Sequence, residues 1–307
     1  MKVFLVHYNI DPDARIQHTI HHGIAFLAGS VKEAGHEVGF CQINLESEYD
    51  LMIKKMKDYS PDVIGISLVT NQLVFFNRSI QRIKEIGAKV IVGGIHPTIE
   101  KESTLKIDGV DAICIGEAEI TFVSFLNKLQ KGQSVYDTPG FMFKAEDGKI
   151  IKGPSACLEP DINKLALPDY SSYGVQDGTN AETILTRGCP YNCTYCVNWN
   201  LRSLYANKES YIRYPSIEKA LAQVKHTLKF YPNAKSMFFE DDLFTTNRKW
   251  LIEFCEVYKK EIGLPFGVNI RVEGCKDVIL DILAKAGCNR VNFGIESGND
   301  WVRRSLL

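Results

Sequence analysis

The segment Thr186–Trp199, TRGCPYNCTYCVNW, sets three cysteines at the spacing C-x3-C-x2-C. Thiolates this close together are candidate metal ligands, and three kinds of site compete for them. A structural zinc site is closed by four protein ligands, usually from paired C-x2-C knuckles, and no second pair follows Cys196. A catalytic zinc would take three thiolates and a water. An iron–sulfur cluster is built on thiolates, and a four-iron cluster normally takes four of them. Held by three, it keeps one iron with a position at which a small molecule can coordinate. The other cysteines, Cys41, Cys114, Cys157, Cys255, Cys275 and Cys288, are scattered. With an odd total of nine and no secretion signal, they read as small buried hydrophobes in a reducing compartment and not as a disulfide framework.

The elements that must position the triplet follow from the apolar spacing. Residues 181–307 alternate strand and helix. ETILTRG (Glu182–Gly188) reads as a strand feeding the cysteine loop, followed by the helix Ser216–Tyr231 and the strand Lys235–Asp242. The helix NRKWLIEFCEVYKKEIG, the strand Phe266–Val272, the helix Asp277–Gly287 and the strand Arg290–Ser297 complete the series. Four such units read as the first part of a β/α barrel. Four cannot close one, which predicts a truncated chain or an edge strand covered by a partner. Barrels of this kind keep their sites at the carboxyl ends of the strands. Glu240, Asp241 and Asp242 stand there after the second strand, Arg271 after the third, and Glu296 and Ser297 after the fourth.

The first 130 residues alternate as well. Uniformly apolar strands at Lys2–Tyr8, EVGFCQI, Asp62–Val69, Lys89–Gly94 and Asp111–Gly116 are separated by amphipathic helices. Strands apolar on both faces belong in a parallel sheet covered on each side. The expected architecture is a doubly wound, flavodoxin-like domain over 1–132, which binds ligands beyond the strand carboxyl ends. Ser67, Thr70, the GGIHPT segment (Gly93, Gly94, Thr98) and the GEAE segment (Gly116, Glu117) lie at those ends. Residues 133–180 read as a hairpin around Glu-Asp-Gly-Lys and then a Pro-, Asp- and Ser-rich linker.

Composition narrows the class. The chain is 45% hydrophobic and 24% charged, with a formal net charge of -1. That profile fits a globular protein and gives no reason to expect nucleic-acid or membrane-surface binding. No apolar run approaches the roughly 18 residues needed to span a bilayer. The expected location is the cytoplasm.

The triplet at the end of a first barrel strand, with Tyr195 just before the last cysteine, resembles the radical S-adenosylmethionine (SAM) enzymes. A flavodoxin-like domain ahead of it resembles the cobalamin-binding branch of that family, over essentially the whole chain. The resemblance implies a 4Fe-4S cluster on Cys189, Cys193 and Cys196, with SAM chelated on the open iron. Reductive cleavage would give a 5′-deoxyadenosyl radical that abstracts hydrogen from a small-molecule substrate. It also implies Tyr195 against the adenine, Glu240, Asp241 or Asp242 near the SAM ammonium, Arg271 facing a carboxylate, and Glu296 and Ser297 near the ribose or amino group. Cobalamin would rest on Ser67, Thr70, Gly93, Gly94, Thr98, Gly116 and Glu117. The loop NIDPDARIQHTIHHG carries no D-x-H-x-x-G motif at His18, His21 or His22, so cobalt would lack a protein histidine ligand. The implied activity is methylation of an unactivated carbon through methylcobalamin. Radical cyclisation or rearrangement without methyl transfer, and a non-catalytic cobalamin or iron–sulfur binding fragment, are the alternatives. A flavodoxin- or ferredoxin-type electron donor is the implied partner.

Overall fold

The computed structural model describes residues 1–10, 20–145 and 147–305. They form two compact units, Met1–Leu158 with Ala166–Ser172, and Glu159–Leu165 with Tyr173–Leu307.

The first unit runs β1 (Lys2–Tyr8), α1 (His22–Glu33), β2 (Glu37–Ile43), α2 (Tyr49–Tyr59), β3 (Val63–Ser67), α3 (Leu73–Lys84), β4 (Lys89–Gly93), α4 (Ile95–Ile99), α5 (Lys101–Leu105), β5 (Ala112–Cys114), α6 (Thr121–Gln130), β6 (Phe141–Lys144) and β7 (Ile150–Lys152). The sheet order is β2-β1-β3-β4-β5-β6-β7. The first five strands pair in parallel, as their two-sided apolarity requires. The order 2-1-3-4-5 is that of the flavodoxin-like doubly wound sheet.

The hairpin does not belong to a linker. β6 pairs antiparallel with β5, and β7 with β6. Phe141 stacks on Phe125 of α6 at 5.0 Å, and Phe143 lies 6.2 Å from the same ring. These rings gain more from covering α6 than from exposure, so the hairpin extends the sheet and covers the β5 edge. Part of the Pro-rich stretch also returns to this unit. The Asp169 N–H donates to the Ala25 carbonyl at 2.8 Å, and Lys32 pairs with Asp169 at 2.5 Å. Gly29 allows the approach, because a Cβ there would stand 2.1 Å from the Leu167 carbonyl oxygen.

The second unit runs β8 (Asn180–Thr183), α7 (Asn198–Ser203), α8 (Ile217–Leu228), β9 (Ser236–Phe239), α9 (Arg248–Glu261), β10 (Phe266–Asn269), α10 (Asp277–Ala286), β11 (Cys288–Asn292) and α11 (Asp300–Ser305). Ser216 and Asn247 cap α8 and α9 by accepting backbone N–H bonds, and Gly287 ends α10 in the left-handed region. The strands form one parallel sheet, β11-β10-β9-β8. One face is the core: Phe239 meets Phe244, Phe254, Tyr258 and Phe266 at ring distances of 5.0–5.8 Å. The alternate residues of the other face are mostly polar, with Asn180, Glu182, Ser236, Asn269 and Arg290 around Phe238. Gly267 makes room for the Phe238 ring, which a Cβ would approach to 2.5 Å. A depression of about 470 Å³ on this face is lined by Asn180, Ser236, Met237, Phe238, Gly267, Asn289 and Arg290, at the amino-terminal ends of the strands. β8 and β11 are shorter than the sequence pattern suggests, because the chain beyond each leaves the ladder to make loop contacts.

At the carboxyl end of β4, Gly94 takes φ +96° and ψ −168°, a conformation reserved in practice for glycine. A Cβ there would also lie 2.8 Å from both the Leu68 nitrogen and oxygen. Gly94→Ala should therefore cost about 3 kcal/mol of unfolding free energy. Gly93→Ala, whose Cβ would meet nothing closer than 3.7 Å, should cost less than about 1 kcal/mol. Urea denaturation of the two variants checks the contrast.

Candidate functional site

The cysteine loop leaves β8 under the control of one buried carboxylate. Asp241, fully buried just beyond β9, accepts the Leu185 N–H at 3.2 Å, and the Thr186 N–H and hydroxyl at 2.5 Å each. Gly188 follows at φ +82°, where a Cβ would lie 2.3 Å from the Tyr211 carbonyl oxygen. Cys189, Cys193 and Cys196 are half-buried, carry no disulfide, and each sulfur accepts an N–H. The donors are the Tyr191 backbone to Cys189, Arg271 Nη1 to Cys193 at 3.0 Å, and Asn198 Nδ2 to Cys196 at 3.7 Å. Burial pushes the Cys189 thiol up, and Asp242, Cys196 and Cys193 add to that rise. Among the described residues no three His, Cys, Asp or Glu groups converge closely enough to hold a metal ion. The donor set itself, three free thiols on one short loop with an N–H directed at each sulfur, fits a thiolate-ligated iron–sulfur cluster.

Side chains from neighbouring segments hold the loop. Arg202 of α7 donates to the Pro190 carbonyl at 2.6 Å and to the Asn192 side chain. Asn198 bridges Cys196 to Asp242 Oδ2 at 3.1 Å and accepts the Tyr211 hydroxyl at 2.7 Å. The Tyr195 hydroxyl is hydrogen-bonded to the Glu296 carboxylate and reaches Cys193 as well. Glu296 achieves this with a left-handed backbone, φ +65°, and its side chain folds back over Gly294. The structure thus brings Cys193, Tyr195, Arg271 and Glu296 together.

Other expected positions do different work. Asp241 faces inward and holds the loop, so it is not placed to receive an ammonium group. Glu240 is exposed at the end of β9. Ser297 closes its own turn, accepting the Asn299 N–H at 3.1 Å. Arg202, Asn198, Tyr211, Tyr191 and Glu273 were not legible as site residues. Only their closeness to Cys196, Cys193 or Arg271 in the sequence could have drawn attention to them.

In the first unit, Ser67, Thr70, Gly93, Gly94, Gly116 and Glu117 all stand at strand carboxyl ends. Thr98 is buried and cross-links two of these loops, donating to the Gly94 carbonyl at 2.7 Å and accepting the Gly116 N–H at 3.0 Å. Its hydroxyl proton is therefore spent within the scaffold. His96, also buried, bonds Thr70 at 3.1 Å. His21 caps α1: its Nδ1 accepts the Ile24 N–H at 3.1 Å, so the neutral ring carries its proton on Nε2 and donates to Ser67 Oγ at 3.3 Å. Both ring nitrogens are then occupied within the protein. His18 lies outside the described residues.

A B12 binding domain family model matches residues 15–126, and a Radical SAM superfamily model matches residues 183–306. The chain thus carries a B12-binding domain followed by a radical SAM domain. It is 29% identical over 287 residues to an uncharacterised methyltransferase of Pyrococcus horikoshii, covering 90% of this chain and 61% of that protein. It is 27% identical over 292 residues to the anaerobic magnesium-protoporphyrin IX monomethyl ester cyclase of Rubrivivax gelatinosus, covering 89% and 51%. Its fold resembles that of OxsB, a cobalamin-dependent SAM radical enzyme solved with aqua-cobalamin and SAM bound. The TM-score is 0.76 at 21% identity, covering 99% of this chain and 45% of OxsB. The chain therefore spans about half to three fifths of the length of these proteins.

The remaining cysteines divide by environment. Cys41, Cys114 and Cys255 are buried, and burial pushes the Cys114 and Cys255 thiols up to about 12. Cys157 is exposed and Cys275 and Cys288 are half-buried, so only half of the six behave as the core residues expected of them. No helix among the described residues is long and apolar enough to cross a membrane.

Burial pushes the Asp241 carboxyl up to about 6, against the hydrogen bonds from Thr186 and Leu185 that pull it down. A raised acid contributes stability that is fully present below its ordinary value of 3.8 and is lost as pH rises through 6. The stability of the wild type relative to Asp241→Asn should accordingly fall by about 2–3 kcal/mol between pH 4 and pH 7. At any one pH in that range, Asp241→Ala should cost about 1–3 kcal/mol for each backbone N–H it strands. Urea unfolding across the pH series measures both.

Proposed function

We propose that this chain is the cofactor-binding part of a cobalamin-dependent radical SAM enzyme that methylates an unactivated carbon of a small molecule. The observation that carries the reading is the triplet Cys189, Cys193 and Cys196 at the carboxyl end of a parallel strand, downstream of a B12-binding domain. A 4Fe-4S cluster bound there would supply one electron to the sulfonium of SAM, yielding methionine and a 5′-deoxyadenosyl radical, while methylcobalamin would supply the methyl group.

The chain's own residues have separate tasks in this reading. Cys189, Cys193 and Cys196 hold three irons. Tyr195, fixed by Glu296, offers its ring to the adenine, and Glu240 is the acidic group left to face the SAM ammonium. Ser67, Thr70, Gly93, Gly94, Gly116 and Glu117 line the edge on which the corrin rests. His21 is committed to its helix cap and to Ser67, so it gives cobalt no ligand. Electrons come from an external flavodoxin- or ferredoxin-type donor. A second reading, radical cyclisation without methyl transfer, is favoured by the 27% identity to a cyclase.

Anaerobic reconstitution of the full-length protein with iron and sulfide should give the absorption of a four-iron cluster. Addition of reductant and SAM should then release 5′-deoxyadenosine, and Cys193→Ala should reduce that release to background. Wild-type-like release from the variant would sink the assignment. With cobalamin supplied, S-adenosylhomocysteine should appear alongside. 5′-Deoxyadenosine and substrate turnover without it would select the cyclase reading.

A further inference from the structure

Arg271 was expected to face a carboxylate of the cofactor. Its guanidinium is instead held on three sides within the protein. Nε donates to Glu273 Oε2 at 3.1 Å, and Nη2 to Glu273 Oε1 at 3.2 Å, the two-pronged geometry in which a carboxylate fixes the guanidinium plane. The same plane lies over the Tyr191 ring, 4.1 Å from its centroid. Nη1, the remaining arm, points at the Cys193 sulfur at 3.0 Å. Tyr191 and Cys193 both belong to the cysteine loop, so one side chain from beyond β10 grips the loop twice. One of the two edges with which a guanidinium can grip a carboxylate by two bonds, Nε with Nη2, is already filled by Glu273.

The three sulfurs differ in the donors they receive. Cys189 is served by a backbone amide and Cys196 by a neutral carboxamide at the longer distance of 3.7 Å. Cys193 is reached by the Tyr195 hydroxyl and is alone in also accepting a bond from a cation. A hydrogen bond to a cluster sulfur favours the form carrying more negative charge, which is the reduced one, and is among the levers that set cluster potential. A charged donor does so more strongly than a neutral one.

We propose that Arg271 is a positioning residue for the cluster: locked by Glu273 and stacked on Tyr191, it orients Cys193 and raises the cluster's midpoint potential through its N–H bond to that sulfur. The inference rests on the cluster assignment made above. Lysine can supply the charge but neither the stacking plane nor the fork, and glutamine an N–H without the charge.

The test is a redox titration of the anaerobically reconstituted full-length protein without SAM, followed by electron paramagnetic resonance of the reduced cluster, with iron and sulfide counted per chain. Arg271→Ala should move the midpoint to a more negative potential. Arg271→Lys and Arg271→Gln should move it less, in the same direction. If Arg271→Ala loses the cluster while its far-ultraviolet circular dichroism is unchanged, the positioning role stands, and the lysine and glutamine variants carry the potential measurement. A midpoint equal to wild type in every variant that holds a cluster overturns the inference. So does weakened SAM binding with an unchanged SAM-free midpoint, which would return Arg271 to the carboxylate role. A wild-type protein that takes up no four-iron cluster fails at the earlier step and is told apart by that result.

Discussion

The arrangement of the second unit depends on a carboxylate that water does not reach. Asp241 closes the gap between the ends of β8 and β9 by accepting two backbone N–H groups and one hydroxyl from Leu185 and Thr186. These donors belong to the last residues before the cysteine loop, so their anchorage fixes where the loop departs. The constraint comes at an electrostatic cost, since burial opposes the charge on Asp241. Three donors on one carboxyl group are what make the buried anion tolerable. The next turn, at Gly188, admits no side chain against the Tyr211 backbone.

Beyond that anchor the loop is held by side chains and not by regular structure. Arg202 grips it from α7, and Arg271 from beyond β10. Asn198 links it to Asp242 and Tyr211, and Tyr195 meets Glu296. Three separate segments of the chain, α7, the residues after β10 and the turn at Glu296, thus converge on the residues from Cys189 to Cys196. This is the usual economy of parallel α/β sheets: the strands end together, so residues distant in sequence become neighbours at one edge. The first unit follows the same rule, with Thr98 tying the loop after β4 to the loop after β5.

Much of this was legible from residue types and spacing, for physical reasons. Apolar runs such as VIVG of β4 are buried on both faces and admit only a parallel sheet. Gly287 and Ser216 mark helix ends because few other residues serve there. The spacing of the cysteine triplet marks it as a candidate set of metal ligands. What could not be read was the direction of side chains in irregular backbone. Asp241 sits between Glu240 and Asp242, and nothing in an acidic triplet says which member turns inward. Arg271 and Glu273 stand two apart, a spacing that pairs side chains on a strand face or in a turn but does not specify the sulfur beyond them. The hairpin was visible as a hairpin, yet its docking on β5 depended on Phe141 and Phe143 finding Phe125, a contact across sequence that local patterning does not encode.

The unequal surroundings of the cysteines bear on how the protein survives handling. Cys41, Cys114 and Cys255 lie inside the cores, and for Cys114 and Cys255 burial suppresses the thiolate that oxidants, alkylating reagents and stray iron require. Thiol chemistry is thereby directed to the cysteines outside the cores, the exposed Cys157 and the half-buried Cys189, Cys193, Cys196, Cys275 and Cys288.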